Sequence, residues 1–84
     1  MGELSSLQNI GKALEAQLEQ VGIYTADQLR QSGSQEAWLK IRAIDDSACI
    51  NRLMALEGAI RNMRWHNLPP EVKVELKAFY QSAK

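Results

Sequence analysis

The sequence predicts an all-α domain, a compact bundle of five helices, on three observations. Apolar residues recur at helical spacing in successive segments, no four-residue run alternates as a strand would, and residues that start or stop helices fall between the segments. The 84 residues make one domain. A domain of this size buries about 60–65% of the surface its unfolded chain exposes, enough for a single modest core. With 45% apolar and 24% charged residues, the chain is too apolar to be disordered.

The first helix is marked by Ile10, Ala13, Leu14, Leu18 and Val21, which share one face, with Lys12, Glu15, Glu19 and Gln20 off it. Gly22 follows, the expected residue for a left-handed stop, and Ile23 is expected to tuck back onto the core. Thr25-Ala26-Asp27-Gln28 is a capping-box pattern that opens a short second helix ending near Gln31. Ser32-Gly33-Ser34 is a break. Ser34 is placed to cap a third helix, Gln35 to about Ala43, with Ala37, Trp38, Ile41 and Ile44 inward.

Asp45-Asp46-Ser47 is a second cap cluster, putting negative charge at a positive helix end. The fourth helix is expected to be the longest, about Ser47 to Arg64. Its stripe of Cys49, Leu53, Leu56, Ile60 and Met63 steps by 4, 3, 4 and 3 residues, and Ile50 and Met54 widen it, which makes this the central helix. On that stripe Cys49 reads as a buried thiol. The small residues Ala55, Gly58 and Ala59 point to a close crossing, read here as another helix passing through Ala13 and Ala16. After the connection Trp65-His66-Asn67-Leu68, Pro69-Pro70 can open a last helix, because a first-turn proline loses no helical hydrogen bond. Val72, Leu76, Phe79 and Tyr80 form its apolar face, with Lys73, Glu75 and Lys77 outside, and Trp65 is expected to pack it against the fourth helix.

Composition excludes several functions. Ten basic and ten acidic side chains cancel, which rules out nucleic-acid binding driven by bulk charge but leaves room for a local basic face. One cysteine and one histidine cannot build a disulfide framework or a Cys/His zinc cage. Asp45-Asp46 offers too few oxygen ligands for calcium. No apolar run is long enough to span a membrane, and the start Met1-Gly2-Glu3-Leu4-Ser5-Ser6 has no signal-peptide character, so a cytoplasmic protein is expected. His66 lacks a neighbouring nucleophile and an orienting carboxylate, a Cys49/His66 dyad lacks an electropositive setting, and no phosphate loop, dinucleotide fingerprint or nucleophile elbow is present. The expectation is a non-enzymatic domain with no cofactor.

One motif carries chemistry. Leu7-x-Asn9-Ile10-Gly11, then a helix, then Gly22-Ile23-x-Thr25-x-x-x-Leu29 resembles a helix-hairpin-helix. In that turn free amides at a helix start point outward, the helix dipole adds partial positive charge, and a phosphate oxygen can sit there. Asn9 stands where the first glycine usually does, and asparagine tolerates the left-handed backbone the turn needs. Lys12 would add a point charge. Charge is mildly uneven: residues 1–29 carry net −3, residues 30–64 net +2 and residues 65–84 net +1. Arg61 and Arg64 share a helix face and, with Lys12 or Arg42, could form a phosphate-contacting patch. The candidate nucleic-acid-binding set is therefore Asn9, Ile10, Gly11, Lys12, Arg42, Arg61 and Arg64. The plain alternative is a tight turn that starts a helix, among solvated and helix-capping charges.

The blocks "LQNIGKALEAQLEQVGIYTADQL", "AWLKIRAID" and "LMALEGAIRNMRWHNLPPEVKVELKAFY" together resemble the C-terminal domain of the TfoX family, from about Leu7 to Tyr80. The Ala55-Leu56-Glu57-Gly58-Ala59-Ile60 block, the Arg64-Trp65-His66 turn and Leu68-Pro69 are its specific parts. The resemblance implies a stand-alone helix-hairpin-helix/SAM-like bundle associated with bacterial competence, DNA uptake and transcription regulation, and it implies no catalytic residue. Two functions follow. One is a regulator that holds nucleic-acid phosphate at the Asn9–Lys12 turn, where a two-fold homodimer would supply a second copy. The other is a protein-interaction or dimerisation adaptor without DNA contact, using Tyr24, Leu39, Val74 and Tyr80 as exposed apolar surface.

Overall fold

A chain whose apolar residues fall on helical stripes separated by Gly, Thr and Pro signals folds as those signals dictate. The computed structural model describes residues 4–83. A 3₁₀ turn at Leu4–Ser6 leads to α1 (Lys12–Gln20), α2 (Ala26–Ser32), α3 (Ser34–Ile44) and α4 (Ile50–Ile60); a second 3₁₀ turn, Trp65–Asn67, leads to α5 (Pro70–Ala83). No strand occurs among the described residues.

The local signals work as physics requires. Gly22 takes φ 90°, and the amides of Gly22 and Ile23 close back onto Glu19 and Leu18, satisfying carbonyls at the end of α1. Ile23 is buried against the core as a result. The capping box of α2 is complete: the Thr25 hydroxyl accepts from the Gln28 amide at 3.1 Å, and Gln28 Oε1 accepts from the Thr25 amide at 3.2 Å. Gly33, at φ 83°, makes the whole break between α2 and α3. Pro70 is the first residue of α5.

α4 is the central element, packing against α2, α3, α5 and the second 3₁₀ turn. Its Leu53 and Leu56 are fully buried with Leu18, Leu29, Trp38, Ile41 and Leu76 from the surrounding helices. The Trp38 ring meets Phe79 and Tyr80 edge-on, at 6.0 and 5.5 Å between centroids, so the aromatic seam joins α3 to α5. Tyr80 is therefore half-buried rather than an exposed apolar residue.

Several expectations need correction. α4 is 11 residues long, not a span from Ser47 to Arg64, and α5 with 14 residues is the longest helix. The apolar period does run on to Met63, but Asn62 turns left-handed at φ 58°, and the amides of Asn62 and Met63 close back onto Ala59 and Gly58. Cys49 lies outside the helix as its N-cap and is exposed, not buried. Ser34 caps nothing: it is the first residue of α3, buried, and its hydroxyl donates to Glu57 Oε1 at 2.6 Å. The Asp45 cluster does not cap α4, which starts without a side-chain cap; Asp45 ends α3 instead. Ala13 and Ala16 are exposed, and so is Ile44, which lies in the last turn of α3.

Candidate functional site

The candidate site is built where α1 begins. Gly11 is its N-cap, extended at φ −94° and ψ −176°, with no side chain to satisfy the first amides. Gly11, Lys12 and Ala13 are exposed, and their main-chain N–H groups meet no acceptor among the described residues. Ile10 is buried beneath them, which fixes the turn to the core.

Asn9 makes the turn possible in two ways. Its backbone is left-handed, φ 71°. Its side chain points away from the start of α1 and into the body of the domain. Nδ2 donates to the Met63 carbonyl at 2.9 Å and, more weakly, to the Ala55 carbonyl at 3.5 Å, while Oδ1 accepts from the Trp65 amide at 3.3 Å. The carboxamide thus clamps the 63–65 backbone to the turn before α1 and leaves the exposed amides unobstructed. This clamp, not a helix crossing at Ala13 and Ala16, is what the small residues of α4 accommodate. A Cβ on Gly58 would stand 2.5 Å from Asn9 Nδ2 and 2.8 Å from the Met63 carbonyl oxygen.

Arg64 lies between the two residues that Asn9 holds, so the clamp fixes its backbone to the turn that precedes α1. Arg64 and Lys12 are exposed, and neither forms an ion pair among the described residues. Of the predicted set, Asn9, Ile10, Gly11 and Lys12 are consecutive at the start of α1, and the Arg64 backbone is tied to them through Asn9. Arg61, at the end of α4, is engaged with Glu57 at 2.5 Å. Arg42 lies elsewhere: its guanidinium sits 5.6 Å from the Trp38 ring centroid and donates to the Ala83 carbonyl at the end of α5.

Three further residues join the site. Lys73 Nζ donates to the His66 carbonyl at 3.0 Å, bringing another cation to the second 3₁₀ turn. The rings of Trp65 and His66 stack, with centroids 4.0 Å apart and planes 27° from parallel. Trp65 is half-buried against the core and His66 is exposed. Nothing in the sequence links Asn9 to residues 54 and 56 positions further on, so the neighbourhood of the turn was out of reach of local pattern.

Two other polar groupings have structural work. Asp45 accepts from the Ser47 hydroxyl and amide, from Gln17 Nε2 at 2.7 Å and from Arg52 Nη1 at 3.0 Å. Ser47's two hydrogen bonds first, then those of Gln17 and Arg52, hold the Asp45 carboxyl well below the usual carboxylate range. It ties α1 to the α3–α4 connection. Glu36, Glu57 and Glu75 line an open hollow at the start of α3 with Ser34. No group of three His, Cys, Asp or Glu side chains among the described residues is arranged to hold a metal, and no described helix is long and apolar enough to cross a membrane.

Comparison with known proteins agrees with the architecture. The family model for the TfoX C-terminal domain matches residues 1–80. A crystal structure of an uncharacterized protein from Listeria monocytogenes in a triclinic form is 51% identical, with a TM-score of 0.93 over 94% of this chain and 90% of that one. A tetragonal-form structure of a protein of unknown function from Listeria monocytogenes is 49% identical, with a TM-score of 0.92 over 95% of this chain and 99% of that one. No curated protein matches.

Proposed function

The chain belongs to the TfoX C-terminal domain family, and from that premise we propose that it is a non-enzymatic regulatory domain that binds nucleic-acid phosphate at the start of α1. The reading rests on one observation: the Asn9 carboxamide is spent on the 63–65 backbone, which leaves the α1 amides open and ties the segment that carries Arg64 to the turn before Lys12. Open amides and the helix dipole favour an anion there, and the two cations, with Lys73, supply the charge that a neutral chain lacks overall. A binding role in regulation accords with the competence and transcription context that the family resemblance implies.

Few phosphates can be contacted by so small a seat. With about three cations engaged, log K is expected to fall against log salt with a slope of about −2 to −3. Anisotropy of a labelled oligonucleotide at about 50 and 200 mM salt tests this. Binding at the lower salt that Lys12→Glu and Arg64→Glu each weaken supports the reading; no binding, or binding indifferent to both changes, overturns it.

The adaptor reading has its own support. Tyr24, Leu39 and Val74 are 57%, 43% and 68% exposed, as an apolar docking surface would require. A domain that ignores oligonucleotides, and whose association is abolished by Val74→Glu or Leu39→Glu, would belong to that class.

A further inference from the structure

We propose that the seat takes unpaired rather than duplex nucleic acid, with the Trp65–His66 stack as the platform for one base and Lys12, Arg64 and Lys73 as the phosphate contacts. The proposal rests on the phosphate reading above and names the form of nucleic acid that fits it.

The platform is preformed. Trp65 packs against the core on the inside, His66 lies over it at 4.0 Å, and the exposed His66 ring extends the stack toward solvent. The turn that carries both rings is pinned twice, by Asn9 Oδ1 on the Trp65 amide and by Lys73 Nζ on the His66 carbonyl. A base stacking on His66 would therefore meet a surface whose ordering cost has been met in folding.

Pairing decides who can use it. Inside a duplex both faces of each base are covered by neighbouring bases, whereas an unpaired base offers a free face to an aromatic ring. The charge of the chain argues the same way. The chain is neutral overall and its seat holds few cations, so phosphate contact alone gives weak, salt-sensitive binding. Base stacking adds affinity that does not depend on counterion release, and it is available only from a single strand. Arg64 precedes Trp65 in the chain and Lys73 reaches the His66 carbonyl, so a strand can lay its backbone along these cations while one base turns onto His66.

The test compares a labelled oligothymidylate of about 15 nucleotides with a blunt duplex of the same length, by anisotropy at low salt. The expected result is single-strand binding at least about tenfold tighter than duplex binding, with His66→Ala lowering the single-strand affinity by about tenfold, leaving the duplex affinity unchanged, and His66→Phe restoring it. Tryptophan emission gives a second readout. Trp38 is wholly buried, so quenching on addition of the oligonucleotide reports on Trp65. Equal affinity for the two forms with His66→Ala silent overturns this proposal while the phosphate reading stands, provided that Lys12→Glu still weakens both. Absence of binding to either form overturns both.

Discussion

The side-chain amide of Asn9 occupies the space that a Cβ on Gly58 would fill, with Nδ2 2.5 Å from that position. The glycine costs α4 helix propensity and returns a slot for a polar clamp between two segments far apart in sequence. The proposed function and stability meet there, because the same clamp ties the segment that carries Arg64 to the turn before α1.

Gly58→Ala should therefore destabilise the domain although alanine is the better helix former. Propensity favours alanine by about 1 kcal/mol. Against it stand the Asn9 amide and, less yielding, the backbone of Met63 and Trp65 at 2.8 and 3.2 Å. Forced overpacking costs about 1–3 kcal/mol, so a net loss of about 1–2 kcal/mol is expected in urea denaturation, measured against wild type. A more stable variant would mean that the 63–65 segment yields freely.

Asn9→Ala should be worse than Asn9→Gly. Both lose the bonds to Met63, Ala55 and Trp65, together worth about 2–3 kcal/mol. Alanine also has to hold φ 71°, which adds about 1 kcal/mol that glycine does not incur. Both variants should lower oligonucleotide affinity without removing any atom from the seat, because Arg64 loses its anchor. Denaturation midpoints give the first difference and anisotropy the second.

These positions also mark how far the sequence can be read. Gly22, the Thr25–Gln28 box and Pro70 act on residues within four positions, so their roles were legible. The left-handed Asn9 was legible for the same reason. The destination of its side chain was not, since hydrogen bonds to residues 55, 63 and 65 depend on how α4 ends. That end misled the periodicity as well: Met63 keeps the apolar step, but Asn62 has already left the helix. Ser34 and Cys49 failed in a like manner. A serine after glycine looks like a cap, and a cysteine on a stripe looks buried, until tertiary packing shifts each helix start by one residue or more.

The Asp45 carboxylate should make stability depend on acid pH. Its folded pKa lies below the ordinary value, held there by Ser47, Gln17 and Arg52. A carboxyl depressed in the folded state stabilises fully above its unfolded pKa, about 3.9, and loses that contribution as pH falls toward the lower folded value. Wild type should lose stability on descending through about pH 4 to pH 2. Asp45→Asn should be less stable at neutral pH and show a shallower loss over that range in thermal melts. An unchanged slope would show that other carboxylates carry the acid response.

Cys49 gives a prediction opposite in sign to a buried core residue. It is exposed, it is the N-cap of α4 at φ −112° and ψ 177°, and its side chain caps nothing. Its carbonyl, not its thiol, has the structural contact, accepting from Trp38 Nε1 at 3.1 Å. A thiol reagent should titrate the native protein without denaturant. Cys49→Ser should stabilise by about 0.5–1 kcal/mol, since a hydroxyl there can accept from a first-turn amide. A destabilised serine variant would indicate that the thiol packs.

Arg42 and Arg64 should separate stability from binding. Arg42 lies over Trp38 and donates to the Ala83 carbonyl, so it holds the ends of α3 and α5 together. Arg42→Ala should cost about 1–2 kcal/mol from the lost ring contact and hydrogen bond and leave oligonucleotide affinity unchanged. Arg64 is exposed and makes no ion pair among the described residues. Arg64→Ala should change stability by less than about 0.5 kcal/mol yet weaken binding and reduce the salt slope by about one. The two arginines are chemically alike and differ only in what the fold puts around them. If the two substitutions gave the same pattern, the position of the clamp would not be what selects the binding face.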